Sequence, residues 1–258
     1  GATGGLIGVY VVLRGMSYVG HGLSHAAIGG AIVGFTLNMN FYAGACAMGL
    51  AAALIINKIT QNNKIKLDAA IGIVTTAMFA LGVAIVSKLR NFKQNFEAAL
   101  FGNILGISDN DLIIIGIVTV VTFITLFFSY RALLFSTFDQ EAAHVSGIRT
   151  ASVQLLFSII LTLAVIASLN VTGVTMVAAT LIAPAITARI LTDSFSKMMI
   201  YSTLIGTFSG IIGMYLSYVF NVASGTTIVL FSTLLFGLSL LVKPLQKILK
   251  ATPEKAES

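Results

Sequence analysis

The chain has 258 residues, 57% of them hydrophobic and 9% charged, with a mean hydropathy of +0.98 and a formal net charge of +6. Soluble domains carry about 25% charged residues, so a soluble globular protein is excluded, and lipid is the solvent that suits most of this surface. The charge is spread over short connectors instead of forming a basic face, and there is no Trp and no polar domain, which excludes nucleic-acid binding.

The opening apolar run, residues 1–13, is shorter than the ~20 residues a crossing needs. It is expected to be the second half of a helix that starts upstream, since no basic n-region or cleavage site marks it as a signal peptide. Further apolar segments follow at 18–37, 41–56, 69–87, 112–130, 151–169, 173–188, 198–220 and 225–242. Those at 41–56 and 173–188 are short for a full crossing and are expected to be little tilted, locally thinned around or partly re-entrant. The reading is an all-α polytopic membrane protein of eight or nine transmembrane helices, one transmembrane domain over 1–258 with a tail at 243–258.

If all nine segments cross, Arg14, the Lys58/Lys64/Lys66 connector, the connectors 131–149 and 189–197 and the tail with Lys243, Lys247, Lys250 and Lys255 share one side, which holds 12 of the 15 basic residues. The other side keeps Lys88, Arg90 and Lys93, so the positive-inside rule places the first set and the C-terminus in the cytoplasm of a cell-membrane protein. Small residues such as Gly29, Gly30, Gly34, Gly44 and Gly49 let helix backbones approach closely, as in a compact bundle.

All nine acidic residues (Asp68, Glu97, Asp109, Asp111, Asp139, Glu141, Asp193, Glu254 and Glu257) fall in connectors, at segment ends or in the tail. His21 and His25 are then the titratable pair inside a span, where ionisable groups are costly and mark function. Four residues apart on a helix, they share one face and suit one divalent metal, although hydrogen bonding to neighbouring helices explains them too. Leu23 and Ser24 stand between them and the Glu of H-E-x-x-H is absent, so metalloprotease chemistry has no general base. Pro184, inside TLIAPAITAR, bends its helix either as a packing kink or as a hinge beside the pathway. In the connector RALLFSTFDQEAAHVSGIRT, Phe138, Ala142 and Val145 have helical spacing and Gly147 is a C-cap, giving a short helix that docks a partner or lies on lipid, with His144 at its surface. Cys46, alone in an apolar stretch, reads as a buried inert thiol.

The stretch LRGMSYVGHGLSHAAIGGAIVGF at 13–35 resembles the signature of the permease subunits of bacterial and archaeal ABC importers for zinc, manganese and iron, the ABC-3 family, which typically reads RRMSLLGDALSHAVLPG. LFGNILGISDNDL at 100–112, LLFSTFDQEAAHVSGI at 133–148, TLIAPAITARILTDSF at 180–195 and ASGTTIVL at 223–230 follow in the family's order. The resemblance implies a type II, vitamin B12 importer-like fold and a permease dimer, taken as a homodimer, around a central path. It implies an ABC ATPase subunit at the cytoplasmic face, where ATP binds, and an extracytoplasmic metal-binding protein that delivers the ion. The coupling helix would span about 138–147, with Phe138, Asp139, Glu141, Ala142 and Gly147. No G-x-x-x-x-G-K-[ST] loop is present, so the chain is expected to be no enzyme by itself and to bind no cofactor of its own.

His25 stands at the family's signature His, and His21 replaces its usual Asp. Loss of that carboxylate leaves an imidazole pair, which by ligand type favours Zn²⁺ over Mn²⁺ or Fe²⁺ as the transported ion. Asn170, Thr172, Asn221 and Ser224 are candidates to line the entrance or are ordinary loop polarity. Two other functions differ in what they require. A permease for a siderophore or corrinoid needs a roomy cavity free of converging His, and an ion-coupled secondary transporter needs intramembrane carboxylates, which this chain does not place inside a span.

Overall fold

The computed structural model describes residues 1–37, 39–61, 65–89, 100–102 and 106–251. Lys64, Arg90, Lys93, Glu97, Glu254, Lys255 and Glu257, and 103–105 of the second matching stretch, lie outside the described residues. Among the described residues the chain folds into eleven α-helices: α1 (Ala2–Leu13), α2 (Val19–Thr36), α3 (Phe41–Thr60), α4 (Leu67–Leu89), α5 (Asp109–Phe128), α6 (Tyr130–Phe138), α7 (Gln140–Val145), α8 (Thr150–Thr172), α9 (Val177–Leu191), α10 (Phe195–Phe220) and α11 (Ser224–Ala251).

Six of these, α3, α4, α5, α8, α10 and α11, are long and apolar enough to cross a membrane, and α1 and α9 are shorter apolar helices. The protein is therefore a multi-pass helical membrane protein. The polar residues His21, Ser24 and His25 and five glycines dilute the hydropathy of α2, an 18-residue helix that is not among the six. The segment expected to be short at 41–56 is a 20-residue helix, because Asn57 and Lys58 continue the turn beyond the apolar run. The one at 173–188 does stay short. At 15 residues α9 is about 22 Å long, against a hydrocarbon core of about 30 Å. The connector that precedes it sits against the flank of α2, where the buried Ser24 hydroxyl lies 3.0 Å from the Val174 carbonyl oxygen. Part of the stretch expected as a tail is helical, since α11 runs to Ala251.

α8 is the central post. Of its most apolar 18-residue stretch 56% is buried, against 11% of the corresponding stretch of α5, which presents Ile113, Ile117, Val120 and Ile124 outward as a lipid-facing helix does. On one side of α8 lie α2, α3 and α4, and on the other α1, α9, α10 and α11 pack against one another. The tightest crossing in the first group is α2 on α3, where Gly30 and Gly44 meet backbone to backbone: a Cβ on either residue would fall on the carbonyl oxygen of the other. A second backbone seam forms where α8 ends and α11 begins. Residues 100–102 fold over the α8–α9 connector, Thr175 donates from its hydroxyl to the Leu100 carbonyl at 2.7 Å, and Gly102, Gly173 and Gly225 leave no room for a side chain between the strands of main chain.

Arg14, just past the end of α1, ties that helix to two others. Its Nε donates to Thr137 Oγ1 at 3.0 Å, one terminal nitrogen to Gln154 Oε1 at 2.7 Å and the other to Ser136 Oγ at 2.9 Å, and the guanidinium lies 4.5 Å above the Phe157 ring. Arg14→Met removes three hydrogen bonds from a charged donor and takes that partner from Gln154 Oε1, while Ser136 and Thr137 keep their bonds to the Leu133 carbonyl, for an expected loss of about 3 kcal/mol. The check is thermal unfolding in detergent, and an unchanged midpoint would show that the three bonds contribute nothing.

Candidate translocation site

His21 lies in the first turn of α2 and His25 one turn further, so the helical repeat aligns their rings on one face. The structure brings them together: Nε2 to Nε2 is 3.2 Å, and the rings meet edge to face with centroids 4.5 Å apart. Phe79 of α4 backs His25, its ring centroid at 5.4 Å. Two nitrogens each about 2.1 Å from one ion and subtending a tetrahedral angle would lie about 3.4 Å apart, so the observed pair already has the spacing of two ligands of one metal. The same distance equally accommodates one Nε2–H donating to the other ring.

The pair opens into a cleft of about 480 Å³ between α2 and α4, lined also by Tyr18, Asp68, Thr76 and Gly72. His21 is exposed and His25 half-buried on the outer side of the single chain, whereas the neighbouring Ser24 points inward. Among the described residues no cluster of three or more His, Cys, Asp or Glu side chains is arranged to hold a metal. One chain thus provides two imidazoles, about half of a tetrahedral shell, with the Asp68 carboxylate elsewhere in the same cleft. Sequence reasoning passed over Asp68 as a segment-end acid; its place in the first turn of α4, paired with α2, was the missing signal.

Other predicted positions separate. The stretch 138–147 is not one helix. Phe138 is the last residue of α6, Asp139 is extended at φ −151° and caps the six-residue α7 by accepting from the Ala142 N–H at 2.8 Å, and Glu141 lies in the first turn. At the far end Gly147, with φ +77°, closes a Schellman turn: its N–H bonds the His144 carbonyl and that of Ile148 bonds the Ala143 carbonyl, both at 3.0 Å. Exposed Val145 stands on this helix, away from the His cleft. Pro184 is buried inside α9, whose helix continues through it between α1 and α10. Cys46 is half-buried on α3.

Of the candidate entrance residues, Asn170 donates to the Tyr42 hydroxyl at 3.0 Å and to Asp111 Oδ1 at 3.3 Å, while Tyr42 donates to the same carboxylate oxygen at 2.6 Å. This cluster joins the starts of α3 and α5 to the end of α8, and Asp111 also completes a capping box with Ser108. Ser224 bonds the Val171 carbonyl, Thr172 bonds the Ser168 carbonyl, and Asn221 is the left-handed cap of α10 at φ +52°. Each therefore has a local structural task.

A bundle with six helices long and apolar enough to cross a membrane, packed around a buried central one, defines the class as that of multi-pass helical membrane proteins. The family model of the ABC 3 transport family matches residues 1–243, and the chain belongs to that family. It is 39% identical over 252 residues to the manganese transport system membrane protein MntC of Listeria monocytogenes, covering 96% of this chain and 89% of that protein. To the manganese import system permease protein ScaB of Streptococcus gordonii it is 37% identical over 252 residues, covering 97% and 90%. The solved structure of PsaBC from Streptococcus pneumoniae in complex with Fab superposes with a TM-score of 0.83 at 34% identity, covering 97% of this chain and 90% of that one.

Proposed function

We propose that this chain is the membrane permease of an ATP-driven importer of divalent transition metal ions, with manganese as its main cargo and His21 and His25 on the ion's route. The 3.2 Å approach of two imidazoles in an open cleft is the observation that carries this reading, because ionisable groups are costly inside a membrane and two converging imidazoles offer two ligands to one cation. Ligand type alone favours zinc. The relatives named for manganese weigh the other way, and Asp68 in the same cleft offers the hard oxygen donor that Mn²⁺ prefers.

The exposed side of α2 and the two-imidazole set support a homodimer in which two such faces meet and four imidazoles surround the path. The α7 helix, capped at both ends and offering Val145, is the coupling element for a cytoplasmic ATPase, with Phe138, Asp139, Glu141, Ala142 and Gly147 setting its shape. An extracytoplasmic binding protein would deliver the ion, and Pro184 would let α9 flex. The cytoplasmic placing of this end and of the C-terminus is supported by Arg14, Lys66, Thr137 and Gln154 opening onto one cavity, as the charge pattern requires.

The test is uptake into proteoliposomes holding the chain with its ATPase subunit, comparing Mn²⁺, Zn²⁺ and Fe²⁺ with and without ATP. ATP-dependent manganese uptake, exceeding that of zinc at equal concentration, is the expected result. Uptake of zinc alone would overturn the choice of cargo, and uptake of no metal would overturn the function.

A further inference from the structure

A cavity larger than the cleft at the histidines lies elsewhere in the bundle. It holds about 580 Å³ beside Arg14, where α3 ends and α8 begins, and Lys66, Gln61, Thr60, Thr150 and Gln154 contribute polar groups to its wall. The wall carries two cations and, among the described residues, no acid. A route for Mn²⁺ would not be lined this way, since like charge repels the ion. Inward, past Met16, Asn57 and Thr60, lies a second space of only about 10 Å³.

Arg14 is the unusual member. Its three acceptors, Thr137, Gln154 and Ser136, are all neutral, so its positive charge is held largely out of water with no counter-charge from the groups that bind it. Burial lowers its pKa to about 10, and it remains charged at neutral pH. Three of the five guanidinium N–H groups are used, leaving two for another acceptor. A largely buried charge lacking a partner is costly and is ordinarily matched. A guanidinium and an ammonium on one cavity, with hydroxyls and amides around them, is a donor set that fits a phosphate. The cavity also lies within the 300–1,000 Å³ range of ligand pockets, at about the size of a headgroup, and at the membrane end where basic pockets between helices meet anionic lipid.

We infer that this cavity is a phosphate-binding pocket in which Arg14 and Lys66 hold a phosphate group, from an anionic lipid headgroup or from free phosphate. Its occupant would bridge the end of α1 to the α3–α4 connector, which α1 does not itself hold.

The experiment uses the purified full chain in detergent, with bound phosphatidylglycerol or phosphatidylcholine counted by native mass spectrometry and the response to millimolar inorganic phosphate read by thermal shift. Lys66→Gln removes one cation. Thr150→Glu puts a carboxylate at the cavity mouth, on the first turn of α8 where a helix tolerates an anion well, so folding is not at stake. The parent is expected to retain one tightly held phosphatidylglycerol per chain that either variant releases about tenfold more readily, as loss of one charge-assisted contact implies. Retention of phosphatidylglycerol with no effect of inorganic phosphate assigns the site to lipid. Stabilisation of the parent by inorganic phosphate, with release of the lipid, assigns it to free phosphate. Failure of the parent to bind either, or binding unchanged in both variants, overturns the inference.

Discussion

His25→Ala is expected to reduce ATP-driven manganese uptake in proteoliposomes by at least the 10- to 100-fold that even an outer-shell partner of a metal site is worth, roughly, while the complex still assembles. His21→Ala should do the same. Each imidazole occupies its position because α2 places it one turn from the other, and their nitrogens stand 3.2 Å apart with no backbone rearrangement required. Removing one ring leaves one imidazole per chain, too little to draw a dication from water. His21→Asp is the more discriminating variant, because it restores the carboxylate that the family signature carries at this position. It should keep uptake and raise the preference for Mn²⁺ over Zn²⁺, since a hard anionic oxygen favours manganese relative to an imidazole. Undiminished uptake in both alanine variants would identify the pair as one ring hydrogen-bonded to another, and the cleft would then not be on the path.

Gly44→Val is expected to destabilise the chain by about 3 kcal/mol or to prevent its folding, at the upper end of what overpacking costs. The added carbons would land on the Gly30 carbonyl, which belongs to a backbone and cannot rotate away. α2 and α3 would have to separate, and α2 carries both histidines, so the surviving protein should also lose uptake. Gly116→Val on α5 is the control. Nothing lies within 4 Å of a Cβ there, and the same change should leave folding and transport intact. Membrane yield and thermal unfolding of the two variants decide the matter; equal behaviour would mean that α2 and α3 have freedom to slide apart.

Hydropathy was enough to locate the helices, because each apolar run must be helical in lipid. It did not locate their ends. Asn57 and Lys58 are polar yet helical, and Asn57 is buried beside a polar cavity that no local pattern announces. The histidine pair was legible because its geometry is local, one helical turn. The Tyr42, Asp111 and Asn170 cluster was not, since it joins residues up to 128 positions apart and each member has an ordinary alternative where it stands. In the 138–147 stretch, Gly147 was recognisable as a terminator, but Asp139 acts as a cap one residue past the start of what spacing alone reads as one helix.

The seam of Gly102, Gly173 and Gly225 makes its contribution with main chain alone. Mutagenesis that proceeds by truncation, cutting each side chain back to alanine and recording the loss, has nothing to remove there. Alanine at these positions is an addition, and its effect would be read as a clash when it is the signature of contact. The complementary probe is amide hydrogen exchange, which follows the backbone whatever the side chain. The N–H of Thr175, bonded to the Leu100 carbonyl at 3.3 Å, would report each opening of the strap over the α8–α9 connector without any residue being changed.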